Sequence, residues 1–312
     1  MDVSVIIVNW NTQSLLRNCL TSVYECAGAI DYEIIVVDNA STDGSAEMVR
    51  NDFQDVILIE NTENRGFAAA NNQGMAIAKG KYVLLLNSDT IVLANSIAKA
   101  VRFADENLQT AVMGCQVLNQ DGSIQQTCFK FPSILNMLLS STYLYKLFPR
   151  NKFFGREQMT WWDRSDVRQV DVVTGCFMLV RREAIEQVGP MDERFFMYGE
   201  ETDWCYRFRE KGWKIMFAPV GQIIHFGGQS TAKRPVVMII QLRLSILKFI
   251  KKHHSWPSYL IARFLVALFF AVRLPAWLAV AFLRPATRPE AAIKMKAYSS
   301  GVLDALFGQI GS

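Results

Sequence analysis

Apolar and polar positions in the first ninety residues alternate in blocks rather than one by one. Val3 to Val8, Glu33 to Val37, Val56 to Ile59 and Val83 to Leu86 are short, largely apolar runs. Such runs suit strands buried on both faces of a parallel sheet. Helical spacing fills the gaps between them. Leu15, Leu16, Cys19, Leu20 and Val23 share one face, Met48 and Val49 mark a short second helix, and a third runs from about Phe67 to Ala78. Thr12 or Ser14 is placed to cap the first helix, and Gly80 stops the third. This strict β-α-β-α-β-α-β order predicts a doubly wound parallel sheet with right-handed crossovers.

Polar residues fall where the strands end. Asn9, Asp38 and Asn87-Ser88-Asp89 collect on one C-terminal edge, the crevice in which open α/β sheets bind ligands. Asp89 reads either as a ligand to a divalent cation that holds phosphates or as a turn or N-cap aspartate. Asp38 either accepts from a nucleobase N–H or closes an Asx turn. No G-x-G-x-x-G follows the first strand and no G-x-x-x-x-G-K-[ST] occurs, which disfavours a dinucleotide-binding fold and a P-loop NTPase.

Farther along, Ala94 to Glu106 predicts a helix, Ala111 to Leu118 a strand, and Pro132 to Phe148 an apolar helical excursion. Lys152 to Arg168 is irregular, carries Trp161 and Trp162, and is a candidate flexible loop over the site. Val170 to Val180 is a bent apolar element broken at Gly175, and Arg181 to Gln187 is a short helix before Gly189-Pro190. Glu200, Glu201 and Asp203 open a helix that holds Trp204. Their charge either complements the helix macrodipole or supplies a general base. Trp213 to Ala218 and Gln222 to His225 read as closing strands. His225, beside Phe226-Gly227-Gly228-Gln229-Ser230, is either a packed residue or an imidazole that completes the coordination begun by Asp89.

Composition narrows the partners. Charge is nearly balanced, 33 basic against 29 acidic residues in 312, and no Lys/Arg stripe is interleaved with aromatics in the first 230 residues, so nucleic-acid binding is not expected. Six cysteines without a CxxC pair read as reduced, and three histidines rule against a multi-His metal site. The segment MDVSVIIVNWN reads as a buried strand and not as a signal peptide, which places the bulk of the protein in the cytoplasm. The apolar excess lies after residue 235. Within Trp256 to Leu283, Arg273 and Pro275 divide two uncharged stretches, each shorter than the ~20 residues that span a bilayer. The expectation is helices that lie in the membrane interface or form a shallow hairpin, anchored by Arg263, Arg273, Arg284, Arg288 and tryptophans, or else an oligomerisation surface.

IIVNWN, VVDNASTDGS, NRGFAAANN, LLLNSDT, TGCFMLVRREA, MDERFFMYGEETDWCYR and IIHFGGQS occur in that order. Together they resemble the family 2 inverting glycosyltransferases, particularly the bacterial rhamnosyltransferase-like branch, over about residues 3 to 230. The resemblance implies a GT-A fold, that is, an α/β, Rossmann-like, mostly parallel central sheet with helices on both faces, here followed by C-terminal apolar helices. The expected division is 1–232 for the transferase domain and 233–312 for a membrane-associating helical region.

By position, the resemblance gives Asp38 the nucleobase, with Asn9 and Asn11 lining the same donor pocket and Asn64, Arg65 and Gly66 beside it. Asn87-Ser88-Asp89 takes the DxD position, leaving Asp89 as the metal ligand, with His225 completing the site for Mg2+ or Mn2+. Glu201 takes the place of the base, with Glu200 as the other candidate. Gly175, Asp203 and Trp204 fall on the acceptor side. Of Trp161, Trp162, Trp204 and Trp213, any could stack on a sugar ring, although core packing is the commoner role. The activity implied is transfer of a hexose, with rhamnose favoured, from a dTDP- or UDP-linked donor to a lipid-linked or glycan hydroxyl at the inner face of the plasma membrane. The readings that compete with it are a nucleotidyltransferase and a catalytically silent nucleotide-sugar-binding protein.

Overall fold

The computed structural model describes residues 1–141, 144–227 and 235–308, without the side chains of 145 and 235–237. Two compact units emerge from its contacts. The first comprises Met1–Lys130, Trp162–Phe196 and Glu200–Ser230, and the second Phe131–Trp161, Met197–Gly199 and Thr231–Ser312.

The first unit begins β1 (Val3–Asn9), α1 (Gln13–Cys26), β2 (Tyr32–Asp38), α2 (Ser45–Asp52), β3 (Ile57–Glu60), α3 (Gly66–Ile77) and β4 (Tyr82–Asn87). It continues β5 (Thr90–Leu93), α4 (Ser96–Glu106), β6 (Thr110–Leu118) and β7 (Cys128–Phe129). The second unit contributes α5 (Ile134–Ser141) and α6 (Leu144–Leu147). The chain then returns to the first unit with β8 (Arg168–Gln169), β9 (Val172–Val173), β10 (Phe177–Arg181), α7 (Arg182–Val188), α8 (Glu200–Glu210) and β11 (Lys214–His225). Last come α9 (Pro235–His253), α10 (Trp256–Ala271), α11 (Leu274–Leu283) and α12 (Arg288–Phe307) of the second unit.

The main sheet runs β3-β2-β1-β4-β10-β6-β11-β5, with β8 beside β11. β1, β2, β3 and β4 pair in parallel, as the block pattern predicts. Alternate side chains of these strands point to opposite faces. Val3, Val5 and Ile7 join Leu84, Leu86 and residues of α1, α2 and α4 in one core. Ile6 faces α3 instead, and a Cβ at Gly74 would lie 2.7 Å from its Cγ2, so glycine lets that helix approach the sheet.

Four features depart from the sequence reading. β10 enters antiparallel between β4 and β6. The two closing strands are one, β11, with its register shifted between Phe217 and Gln222. Thr90–Leu93 is a strand of its own, antiparallel to β11. Lys152 to Arg168 is not a single free loop. Trp162, 5% exposed, packs edge-on to Phe217 at 4.9 Å, and Arg164 is buried beside it.

Arg181 is buried at the end of β10 and collects carbonyls from the end of α4 to the start of β6. Its Nε donates to Thr110 O at 3.0 Å, and its Nη2 to Ala104 O at 2.5 Å and Asn107 O at 3.4 Å. Arg181→Met removes the donor and strands these oxygens, so it is expected to destabilise the unit by about 2–5 kcal/mol in urea unfolding.

In the second unit, Phe131 stacks on Phe249 (6.1 Å) and Ser141 Oγ donates to Leu265 O at 3.4 Å, so residues 131–161 fold with the C-terminal helices rather than within 1–232. Two of the expected interface anchors are occupied internally. Arg263 donates to Ala305 O and Gly308 O at the end of α12. Arg273, 3% exposed, lies 3.4 Å from the Phe269 ring centroid. Arg284 and Arg288 are exposed. So is most of α11, which has no buried residue and exposes Leu278, Phe282 and Leu283 by 62%, 82% and 75%.

Candidate active site

Parallel register sets the floor of the site: Asn9 aligns with Asp38, and Val8 with Asn87. Three strand ends therefore reach one edge together. The buried Asn9 amide donates to Asp38 Oδ1 (3.0 Å) and Ser41 Oγ (3.1 Å), and its Oδ1 accepts from Thr12 Oγ1 at 2.7 Å. Thr12 thus stands at the N-cap of α1 but spends its hydroxyl on Asn9, while Asp43 Oδ2 accepts from Gln13 N–H at the first turn. Asp38 Oδ2 accepts from Ser41 N–H, three residues on, at 2.8 Å, and so holds the turn that follows β2. Asn11, at φ 56°, ties the two loops together: its N–H donates to Ser41 Oγ and its Oδ1 accepts from Thr42 N–H.

A second loop closes beside the first. Asn39, absent from the sequence-based site, receives Arg65 N–H on its Oδ1 and donates to Asn64 Oδ1 and Gly66 O. Asn64 Oδ1 also accepts Gly66 N–H. Gly66 sits at φ +83°, where a Cβ would come within 2.4 Å of Phe196 O. Arg65 is exposed, and among the described residues its guanidinium meets no carboxylate.

β5 builds the other side. Its antiparallel pairing sets Thr90 opposite His225 and so returns β11 to the end of β4. His225 Nε2 lies 3.2 Å from Asp89 Oδ1 and 3.2 Å from Asn87 Nδ2. Asp89 is 8% exposed, its backbone carbonyl accepts Phe226 N–H at 3.0 Å, and Ser88 Oγ meets Thr12 Oγ1 at 3.0 Å. Gly228, Gln229 and Ser230 of the histidine motif lie outside the described residues. Among the described residues no three His, Cys, Asp or Glu side chains form a metal-binding group. A carboxylate oxygen and an imidazole nitrogen that face each other are a sound donor pair for Mg2+ or Mn2+ when diphosphate and water supply the remaining ligands.

Glu201 approaches from α8. Its Oε1 accepts Gly175 N–H at 3.3 Å, and a Cβ on Gly175 would meet the Phe67 ring at 3.0 Å. Cys176 O in turn accepts Asn87 N–H at 3.3 Å, so residues 175–176 bridge the base candidate and the metal candidate. Burial pushes the Cys176 thiol up to about 12, and the nearby Asp89 and Glu201 charges add to the rise. Glu201 is partly exposed, whereas Glu200 is 2% exposed.

Two acceptor-side assignments are corrected. Trp204 is fully buried and donates its indole N–H to Gly189 O at 2.9 Å. Asp203, also fully buried, accepts from Arg207 Nε at 2.8 Å. Both are buried by the packing of α8, and Asp203, two residues on from Glu201, lies on another face of the helix. Glycine 175 remains at the site, against Glu201.

Residues 4–189 match the glycosyl transferase family 2 profile. The chain is 27% identical over 233 residues to the N-acetylglucosaminyl-diphospho-decaprenol L-rhamnosyltransferase of Mycobacterium tuberculosis H37Rv, covering 71% of this chain and 75% of that protein. Among solved structures it is similar to the mannosyltransferase PcManGT of Pyrobaculum calidifontis in complex with GDP-Man and Mn2+ (TM-score 0.59, 17% identity, 98% of this chain and 87% of that one). It is also similar to GalNAc-T7 with UDP, GalNAc and Mn2+ (TM-score 0.52, 17% identity), covering 72% of this chain but spanning only 43% of that one. A mixed, mostly parallel sheet with its polar strand ends gathered at one edge, and a family match over most of the first unit, establish that the chain belongs to glycosyl transferase family 2, an enzyme of the glycosyltransferase class with the GT-A fold.

Proposed function

We propose that this transferase moves a sugar, with rhamnose favoured, from a dTDP- or UDP-linked donor to a hydroxyl of a growing, lipid-linked cell-surface glycan, with inversion at the anomeric carbon. The observation that carries the reading is the pairing of Asp89 and His225 on one side of residues 175–176 with Glu201 on the other. The rhamnosyltransferase relative, whose name gives a lipid-diphosphate acceptor, supports the sugar and the acceptor.

Asn9, Asn11, Asp38, Asn64, Arg65 and Gly66 are the donor-side residues of this reading, with Asp38 as the acceptor from the base. Asn87 and Ser88 hold the end of β4. Asp89 and His225 would hold Mg2+ or Mn2+, which when bound supplies positive charge to the departing nucleoside diphosphate. Glu201 takes the proton from the acceptor hydroxyl as its oxygen forms the new bond to the anomeric carbon. The sugar–phosphate bond breaks on the opposite face, and the diphosphate leaves with the electron pair. The 175–176 backbone links Glu201 to the end of β4, two residues before Asp89.

The test is a screen of nucleotide sugars with divalent metal, reading nucleoside diphosphate release with and without lipid-linked acceptor. Binding of a donor and acceptor-dependent release are expected. Failure to bind any sugar nucleotide sinks the reading.

The second unit is proposed as the contact with the cytoplasmic membrane face. Trp256–Leu283 is long and apolar enough to cross a membrane by length and composition, but it folds as helices of 16 and 10 residues on either side of the buried Arg273. A helix as bare and apolar as α11 suits the interfacial zone, with Arg284 and Arg288 at its end for anionic headgroups. Replacing Leu278, Phe282 and Leu283 together by Gln is expected to lower partition onto anionic vesicles by more than about tenfold, since each buried apolar side chain contributes roughly 1.5–3 kcal/mol. Unchanged partition with a smaller oligomer by sedimentation assigns the face to a second copy of the chain instead.

A further inference from the structure

Gln125, between β6 and β7, belongs to none of the motifs, yet it holds the histidine at the metal candidate by both its ring and its backbone. We infer that Gln125 is a positioning residue for the cation site: it keeps the His225 imidazole in the Nδ1–H tautomer and so leaves the Nε2 lone pair facing Asp89. The inference rests on the metal reading of Asp89 and His225 given above.

The proton's place follows from a chain of hydrogen bonds that starts at a group able only to accept. Asp121 Oδ1 accepts the Ser123 hydroxyl at 2.6 Å and the Ser123 N–H at 2.9 Å, which hold its carboxyl below the usual range. With its proton so used, Ser123 Oγ accepts from Asn119 Nδ2 at 2.9 Å. Asn119 Oδ1 is then the acceptor for Gln125 Nε2 at 2.9 Å. The second proton of that amide goes to the backbone oxygen of His225 at 3.2 Å. Gln125 Oε1, 2.6 Å from His225 Nδ1, has no proton to give and must accept one. Asn87 Nδ2, 3.2 Å from Nε2, is a donor and agrees with this assignment.

The loop that carries the relay is itself fixed. Gln125 N–H donates to Val117 O at 2.8 Å, Asn119 N–H to Ser123 O at 2.8 Å, and Gly122 turns the chain at φ +81°. A neutral Nε2 and a carboxylate oxygen 3.2 Å apart repel unless a cation lies against both. Without Gln125, the nearest acceptor for an imidazole proton is Asp89 Oδ1. The proton then leaves Nδ1 for Nε2, and the Nε2–H···Oδ1 bond occupies the face the metal needs.

The test reads the ring directly, since the chain has only three histidines. Nitrogen-15 NMR of the metal-free full chain, above the ordinary histidine pKa of about 6.5, is expected to show His225 as Nδ1–H. Gln125→Met is expected to turn it to Nε2–H and to weaken Mn2+ binding, followed by electron paramagnetic resonance with UDP and dTDP in parallel, by about 10–100-fold. Gln125→Glu keeps an acceptor toward Nδ1, though it gives up the two bonds that Nε2 donates, and is expected to hold the Nδ1–H tautomer that Gln125→Met loses, separating positioning from a general loss of fold. The proposal is overturned if wild type carries the proton on Nε2, or if Gln125→Met changes neither tautomer nor affinity. A tautomer shift without Mn2+ binding in any variant instead removes the metal reading and leaves Gln125 as the residue that orients the ring.

Discussion

Glu201→Gln is expected to slow sugar transfer by roughly 10²–10⁴-fold, the usual contribution of a positioned general base, while donor affinity stays close to that of the native enzyme. The substitution keeps the shape of the side chain. An amide oxygen still accepts Gly175 N–H, as Oε1 does at 3.3 Å, so the 175–176 segment and the end of β4 have no reason to move. Only the capacity to take a proton is lost. Initial rates and equilibrium binding of the nucleotide sugar, measured on the same preparation, separate the two effects. Glu200→Gln is the control. Its side chain is 2% exposed, and removing its charge is expected to act on stability before it acts on turnover. If transfer survives Glu201→Gln but not Glu200→Gln, the base is Glu200.

Asp89→Asn is expected to be nearly as severe on turnover, about 10²–10³-fold, the scale for removing one preorganised charge from a developing anion. It should also flatten the response to added Mg2+ or Mn2+. The motif has Asn87 where a second carboxylate would stand, so Asp89 is the one carboxylate of the Asn87-Ser88-Asp89 motif. Its backbone contact to Phe226 N–H survives the change, which keeps β5 and β11 in register. His225→Ala leaves the carboxylate in place and should cost less, about 10–100-fold in metal affinity. Titrating metal against initial rate for the three proteins orders them. An Asp89→Asn enzyme with native rate and native metal dependence ends the assignment.

Much of the sheet edge that carries the candidate donor residues was legible because it depends on local order. Buried β runs and intervening helices fix where strands end, and parallel register sets Asn9 level with Asp38 and Asn87 one residue short of them, beside Val8. What escaped depends on pairing at long range. A four-residue strand such as Thr90–Leu93 has too few positions for periodicity to distinguish it from a turn, and it is defined by His225 and its neighbours across the sheet. The direction of β10 is equally invisible in FMLVR, an apolar run that suits either orientation. Glu201 and Asp203 look alike in sequence, and only helix phase against β9 and β11 sends one to the site and the other to Arg207. Gln125 and Asn39 are unremarkable polar residues in turns. Their roles come from amide orientation, which no spacing rule encodes.

The antiparallel closure of β5 on β11 also has a consequence for biosynthesis. Asn87 and His225 are 138 residues apart in the chain. At roughly 5–20 residues per second, the ribosome needs about 7–30 s to make the second after the first. During that interval the growing chain has its donor loops and one carboxylate but no imidazole to face it, and β5 has no strand to pair with. On the proposed roles of Asp89, His225 and Glu201, the nascent protein gains activity only when almost the whole first unit has been synthesised, and a chain that stalls before β11 presents an unpaired strand edge to chaperones rather than a weak enzyme to the cell.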